Sequence, residues 1–197
     1  METKITEKEE ISMERTMKGV FAIFISLGQF EITSGKLVVS DPCYDLNENT
    51  IIMGVLDDVL NGAWSAYVSK TEVQDWGEAC AKLLACHGSV ADKLETLEWV
   101  KGNFIVGVDS GQAGIFDVSK YRIPDADADS TEPNDTDSEW YYACCDITES
   151  GEEAGVLDGG VVSRTGFGDG AYAAYYAVNR QSQIIGIKII FIKDADV

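Results

Sequence analysis

The chain has 197 residues, of which 34 are acidic and 15 basic, giving a formal net charge of −19 with 45% apolar residues. That length and apolar share suit a folded globule with one substantial core and exclude a disordered chain. A balance this acidic argues against a direct grip on nucleic-acid phosphates or an anionic membrane surface, and it favours cations and basic protein surfaces as partners.

Residues 1–17 are dense in charge and poor in apolar positions, which predicts a tail or frayed helix. Residues 18–197 read as one β-rich domain, because no Pro/Gly/Ser-rich linker divides them. Residues 20–25 form an apolar, β-branched and aromatic run that suits a buried strand. Strands follow at 30–32 and 36–40, separated by the Ser34 and Gly35 turn and stopped by Pro42. The stretch 51–60 fits a short strand or a helical turn. Residues 63–69 alternate as a strand.

Residues 71–87 are predicted as a helix, since Trp76, Cys80, Leu83, Leu84 and His87 fall at helical spacing among alanines. Residues 93–100 fit helix or strand. Phe104, Val106 and Val108 give a strand by period-two alternation, and 125–139 form an acidic, proline-containing loop. Residues 140–146 have β character. Strands at 161–164, 171–178 and 184–192 are expected to form an antiparallel meander, the last one central because nearly every position is apolar. Together these elements predict a mainly β fold, with α+β as the alternative: an antiparallel sandwich or partly closed barrel with one or two helices.

The odd set Cys43, Cys80, Cys86, Cys144 and Cys145 does not resemble a secreted disulfide framework, which points to a reducing cytoplasm, bacterial or that of an infected host. The apolar run 20–27 is far too short to span a bilayer. In the acidic loop, Asp125, Asp127 and Asp129 stand two apart. An EF-hand starting at Asp125 would need glycine and glutamate where Ser130 and Thr136 stand, so a solvated loop is the expectation. The GFGDGA run at 166–171 loosely fits a dinucleotide fingerprint, yet a strand-like segment follows it instead of a helix. No phosphate-binding P-loop pattern exists. Cys80, Cys86, His87 and Cys144 or Cys145 lack the paired spacing of a zinc site, and neither a Cys43–His87 pair nor a Ser110 nucleophile has supporting spacing.

The most informative stretch is NFIVGVDSGQAGIFD (103–117), where a strand delivers carboxylate, hydroxyl and amide into one short turn. Similar junctions occur at SDPCY (40–44) and GFGDG (166–170). If the strands bring these ends to one rim, Asp109, Ser110 and Gln112 supply hydrogen bonds to a ligand, and Cys43, Tyr44 and Tyr172 line its walls. Asp41, Asp117 and Asp169 would then supply charge or hold Mg²⁺ or Ca²⁺. The alternative is that each aspartate caps its own turn.

The segments SGKLVVSDPCY (34–44), the Trp64 strand, DWG (75–77), GVDSGQAGIFD (107–117) and GFGDGAY (166–172) resemble an uncharacterised family. Its members are small proteins of bacteria, phages and other mobile elements, classed as a domain of unknown function. The resemblance spans most of residues 30–192. It implies a β-rich fold and a cytoplasmic home, and in such proteins the segment after Asp-Trp-Gly continues as a strand. It implies no established activity. From the polar strand ends, the net charge and the aspartates, three functions are expected in order: a binding protein that recognises a small polar ligand or partner protein through the motif loops; a phage-type inhibitor that mimics nucleic acid on the basic surface of a host protein; and a metal-dependent hydrolase using the aspartates.

Overall fold

The computed structural model of the protein describes residues 13–15, 21–123 and 138–193. β-Branched and aromatic runs, punctuated by glycine and aspartate, make its strands. In chain order these are β1 (Met13–Arg15), β2 (Phe21–Ile32), β3 (Leu37–Ser40), β4 (Gly54–Leu56), β5 (Gly62–Val73) and β6 (Gly77–His87). They continue with β7 (Val100–Val108), β8 (Gln112–Asp117), β9 (Ala154–Leu157), β10 (Gly160–Arg164), β11 (Gly170–Val178) and β12 (Ile184–Ile190). The seven-stranded sheet runs β1-β2-β5-β6-β12-β11-β7 and the five-stranded sheet runs β4-β3-β8-β10-β9.

All the ladders between these strands are antiparallel, and the two sheets face each other as a sandwich rather than closing into a barrel. Trp64, Leu83 and Ile187 of the larger sheet meet Leu37, Ile115 and Val161 of the smaller one in a shared buried core. As expected for a continuously apolar strand, β12 lies inside its sheet, between β6 and β11.

Three expectations from the sequence are corrected. Residues 71–87 are not a helix: they complete β5, turn at Asp75 and Gly77, and form β6. Both turn residues take positive φ, 69° and 79°, which suits a tight reversal. The helical spacing was coincidental. From Cys80 to Cys86 every residue of β6 is buried, because Leu83 and Ala85 face the inner core while Leu84 and Cys86 face an outer cluster with Phe24, Tyr67 and Leu94. A strand covered on both faces, with Lys82 the one charged residue between Cys80 and Cys86, has too few polar positions for its period to be recognised.

Residues 140–146, expected as β, instead lie in the helix α1 (Glu139–Thr148), which Ser138 caps by accepting from the Tyr141 N–H at 3.1 Å. This helix covers the outer face of the smaller sheet, with Trp140 packed against Phe116 and Tyr121 at ring separations of 5.2 Å each. The expected meander also breaks, since β10 pairs with β8 and β9 while β11 pairs with β7 and β12. The glycine loop after β10 carries the chain across to the other sheet.

Of the ambiguous stretches, 51–60 contains β4, and 93–100 holds a short 3₁₀ turn at Leu94–Thr96 before entering β7. In the charged N-terminal stretch, Met13–Arg15 pairs with β2; the remainder of that stretch, and residues 125–137 of the acidic loop, lie outside the described residues.

Four connections switch sheets. Those at 33–36 and 57–61 lie at one end of the sandwich, and those at 109–111 and 165–169 lie at the other. Backbone at such a crossing has left one ladder without joining the next, so its N–H groups need other acceptors. At the first end the acceptor is Asp117, fully buried at the end of β8. Its Oδ2 accepts from the N–H of Thr33 and, at 3.1 Å, of Ser34, and its Oδ1 accepts from the N–H and hydroxyl of Ser119, each at 2.8 Å.

Burial works to raise the pKa of this carboxyl. The bonds from Ser34, Thr33 and Ser119 outweigh it and hold the value down to about 2, against an ordinary 3.8. A group with a depressed folded pKa contributes stability that is present above its unfolded value and is lost as pH falls through the folded one. Asp117 should therefore supply about 2 kcal/mol that fades between roughly pH 4 and pH 2. In urea unfolding, the stability gap between the wild-type chain and Asp117→Asn is expected to narrow by that amount between pH 5 and pH 2. A gap independent of pH would contradict this account.

Candidate functional site

The second end of the sandwich is organised around Asp41, which is fully buried just beyond β3. Its Oδ2 accepts from the N–H groups of Asp109 (2.9 Å) and Ser110 (2.8 Å), the residues where the chain leaves β7. Its Oδ1 accepts from the Ser110 hydroxyl (2.6 Å) and from the Cys43 N–H (2.8 Å). One carboxylate thus ties the 40–44 turn to the 109–111 crossing through charge-assisted bonds. Tyr121 and Arg122 brace the turn from behind. The Tyr121 hydroxyl donates to the carbonyls of Tyr44 (2.6 Å) and Asp41 (3.1 Å), and the Arg122 guanidinium donates to that of Pro42 (2.8 Å).

The third motif docks onto the second. Asp169 accepts from the Gly111 N–H at 3.1 Å, and the Thr165 N–H donates to the Gly111 carbonyl at 3.0 Å. The Gly166 N–H donates to the Cys80 carbonyl on β6 at 3.1 Å, so the loop lies flat against the hairpin. Only glycine fits there, since a Cβ on Gly166 would stand 2.6 Å from Ile192 and 3.0 Å from the Cys80 carbonyl. The Thr165 N–H also belongs to this seam, and its hydroxyl and that of Tyr172 both donate to the Gly168 carbonyl, at 2.7 and 2.6 Å.

Helix α1 closes the remaining side. Between it, the two crossings and the start of β6 lies a cleft of about 570 Å³, the size of a small-molecule site. Ser110, Gln112, Tyr141, Cys145 and Thr148 form its inner wall, and Trp76 and Phe167 stand at its rim. Buried Gln112 is held by the Thr148 hydroxyl, which donates to Oε1 at 3.3 Å, and by its own amide, which reaches the Cys145 sulfur at 3.4 Å. Burial raises the pKa of the Tyr141 phenol, as does neighbouring Cys145, against a lowering bond with Ser110. A phenol so placed is a neutral donor or acceptor facing the cavity.

The three motifs therefore meet, though not every residue singled out in the sequence faces the cavity. Ser110 and Gln112 do. Asp109, exposed, accepts from the Tyr44 hydroxyl at 2.6 Å and joins the rim of the same end. Burial first, then that bond, raises the pKa of Tyr44. Tyr172 is buried against Phe191, at a ring separation of 5.3 Å, and braces its own loop instead of lining a wall. Burial first and then Asp41 push the Cys43 thiol up to about 12, so it is not a thiolate at neutral pH.

Asp117 sits at the far end of β8, about 17 Å of strand from Gln112, and shares nothing with Asp41 or Asp169. Among the described residues no three His, Cys, Asp or Glu side chains are grouped to hold a metal ion. His87 also lies at that far end, with its ring nitrogens on Ser89 (2.8 Å) and the Asn61 carbonyl (3.2 Å).

Sequence reasoning missed Tyr141, Cys145, Thr148, Trp76 and Phe167. For the helix residues a signal existed: Ser138 followed by Glu139 is a cap, and Trp140, Cys144 and Thr148 repeat every four residues. For Trp76, the flanking Asp75 and Gly77 mark a turn tip.

Over residues 30–189 the chain matches the family described as "Protein of unknown function (DUF4241)", and it belongs to that family. No curated protein and no solved structure matches it.

Removing the Asp41 carboxylate orphans buried donors at about 1–3 kcal/mol each. Asp41→Ala should lose several kcal/mol and accelerate amide exchange at Ser110. Asp169→Ala, which gives up one exposed 3.1 Å bond, should lose less than about 1 kcal/mol. Equal losses in chemical denaturation would mean that Asp41 is not the pin of this end.

Proposed function

We propose that the protein is a binding module that takes a small polar ligand, or the polar tip of a partner protein, into the cleft between α1 and the sheet crossings. The observation that carries this reading is the rigid convergence of three distant motif segments on one cavity: Asp41, Asp169 and the Gly166 contact lock the walls before any ligand arrives. Preorganised walls with a few fixed polar groups are what small-ligand recognition requires. The hydroxyls of Ser110, Tyr141 and Thr148 and the Gln112 amide give polar contacts at the floor.

A hydrolytic use of the aspartates draws less support, because the oxygens of Asp41 and Asp117 are already taken by N–H and O–H donors. The five unpaired cysteines accord with work in a reducing, cytoplasmic setting.

The test is an amide NMR screen of the whole chain against small neutral, anionic and cationic compounds. Binders should shift the resonances of Ser110, Gly111, Gln112, Tyr141 and Cys145 in a saturable way. If every binder instead shifts residues of the other end, around Asn61 and His87, the cleft is not the site.

A further inference from the structure

Resting on that reading of the cleft, we infer that the group it recognises is an organic cation, an alkylammonium or guanidinium, held against Trp76 and Phe167 at the rim. The first observation is the aromatic pair itself. Trp76 is 67% exposed and Phe167 41%, yet the two rings meet edge to face at 5.8 Å. Both are presented by fixed backbone: Trp76 from the Asp75 and Gly77 turn, whose Trp76 N–H donates to the Val73 carbonyl at 3.0 Å, and Phe167 from the loop docked on Cys80. Leaving two large rings in water beside a cavity is costly. Their electron-rich faces are suited to a cation.

The second observation is the hydrogen-bonding polarity of the walls. The backbone N–H groups of Ser110, Gly111, Thr165, Gly166 and Gly168 are all consumed internally, by Asp41, Asp169, the Gly111 carbonyl, the Cys80 carbonyl and the Thr165 carbonyl. These five amides are therefore not available to an anion. Charge points the same way. Among the described residues, Glu78, Glu149 and Glu153 line the cleft against a single cation, Arg164, and that guanidinium is bonded to Glu153 at 3.2 Å. Glu78 reaches Lys70 only at 3.5 Å, a lysine it shares with Glu152 at 3.9 Å. Glu149 is exposed and makes no ion pair among the described residues. The surrounding charge of −19 adds a long-range attraction for cations. A cation entering between Trp76 and Glu149 would thus meet aromatic faces and carboxylates, and an anion would meet those carboxylates and an Arg164 already bonded to Glu153.

The experiment is titration of the full chain at constant ionic strength, followed by Trp76 indole and Ser110 amide resonances. The probes are butylammonium and ethylguanidinium, neutral butanol and butyrate. The cations should saturate the shifts, and butanol and butyrate should bind at least tenfold more weakly. Trp76→Ala, at an exposed turn tip that leaves the core untouched, should weaken cation binding about tenfold, and Glu149→Gln about threefold, with unchanged melting temperatures.

Agmatine and a blocked Gly-Arg-Gly peptide separate the two sources. Tighter agmatine binding marks a free small cation and tighter peptide binding marks an arginine of a partner protein, and both support the inference. If butanol or butyrate shifts the cleft residues as strongly as the cations do, the inference falls while the cleft remains a binding site. Cation binding that is indifferent to Trp76→Ala overturns it as well. If no probe of any charge shifts the cleft, the cleft reading fails first.

Discussion

The bond network of the Asp41 carboxylate fixes the end of the sandwich on which the candidate site depends. A chain that passes from one sheet to the other strands its amides at the crossing, where neither ladder can take them. Asp41 accepts two of these amides and the Ser110 hydroxyl at the β7–β8 crossing, and Asp117 does the equivalent for the β2–β3 crossing at the opposite end. Each aspartate is fully buried, and each is tolerable there only because its oxygens are filled. The same type of residue thus solves the same geometric problem at both poles of the molecule.

The two poles then diverge. At the Asp117 end, the Asn61 side chain and His87 fill the space: Asn61 accepts from the Gly35 N–H at 2.7 Å and donates to the Thr33 carbonyl at 3.1 Å. At the Asp41 end, the glycine loop lies flat on β6, and α1 stands off across the crossing. The gap between them becomes the cleft. Its character follows from what the crossings have already spent. With the amides of Ser110, Gly111, Thr165, Gly166 and Gly168 bound inward, the walls turn hydroxyls, side-chain amide and thiol to the cavity, and the acidic surface supplies the rest of the field.

Much of this was open to reading from the residues. Alternation at Phe104, Val106 and Val108, the proline stop after Ser40, and the unbroken apolar run of β12 led correctly to an antiparallel β fold with one central strand. Concentration of Asp, Ser and Gly at 40–44, 109–112 and 166–170 led to the segments that meet. Asp117 looked the same as those by composition, and it belongs elsewhere, because a six-residue strand separates the start of its motif from the end. Tyr172 likewise turned inward: β11 buries its even-numbered partners Tyr172 and Ala174 toward the core.

Local chemistry therefore determined where the chain extends, where it turns, and that its surface is strongly acidic, since these follow from side-chain shape, backbone freedom and charge at each position. Tertiary structure alone decided the rest. It made 77–87 a strand, because neighbours on both faces bury it and erase the period that would identify it. It set the helix 139–148, whose Ser138 cap was legible locally, on the outer apolar face of the smaller sheet. It also selected which aspartates share an end of the sandwich, a matter of how strands are ordered between two sheets that no local pattern encodes.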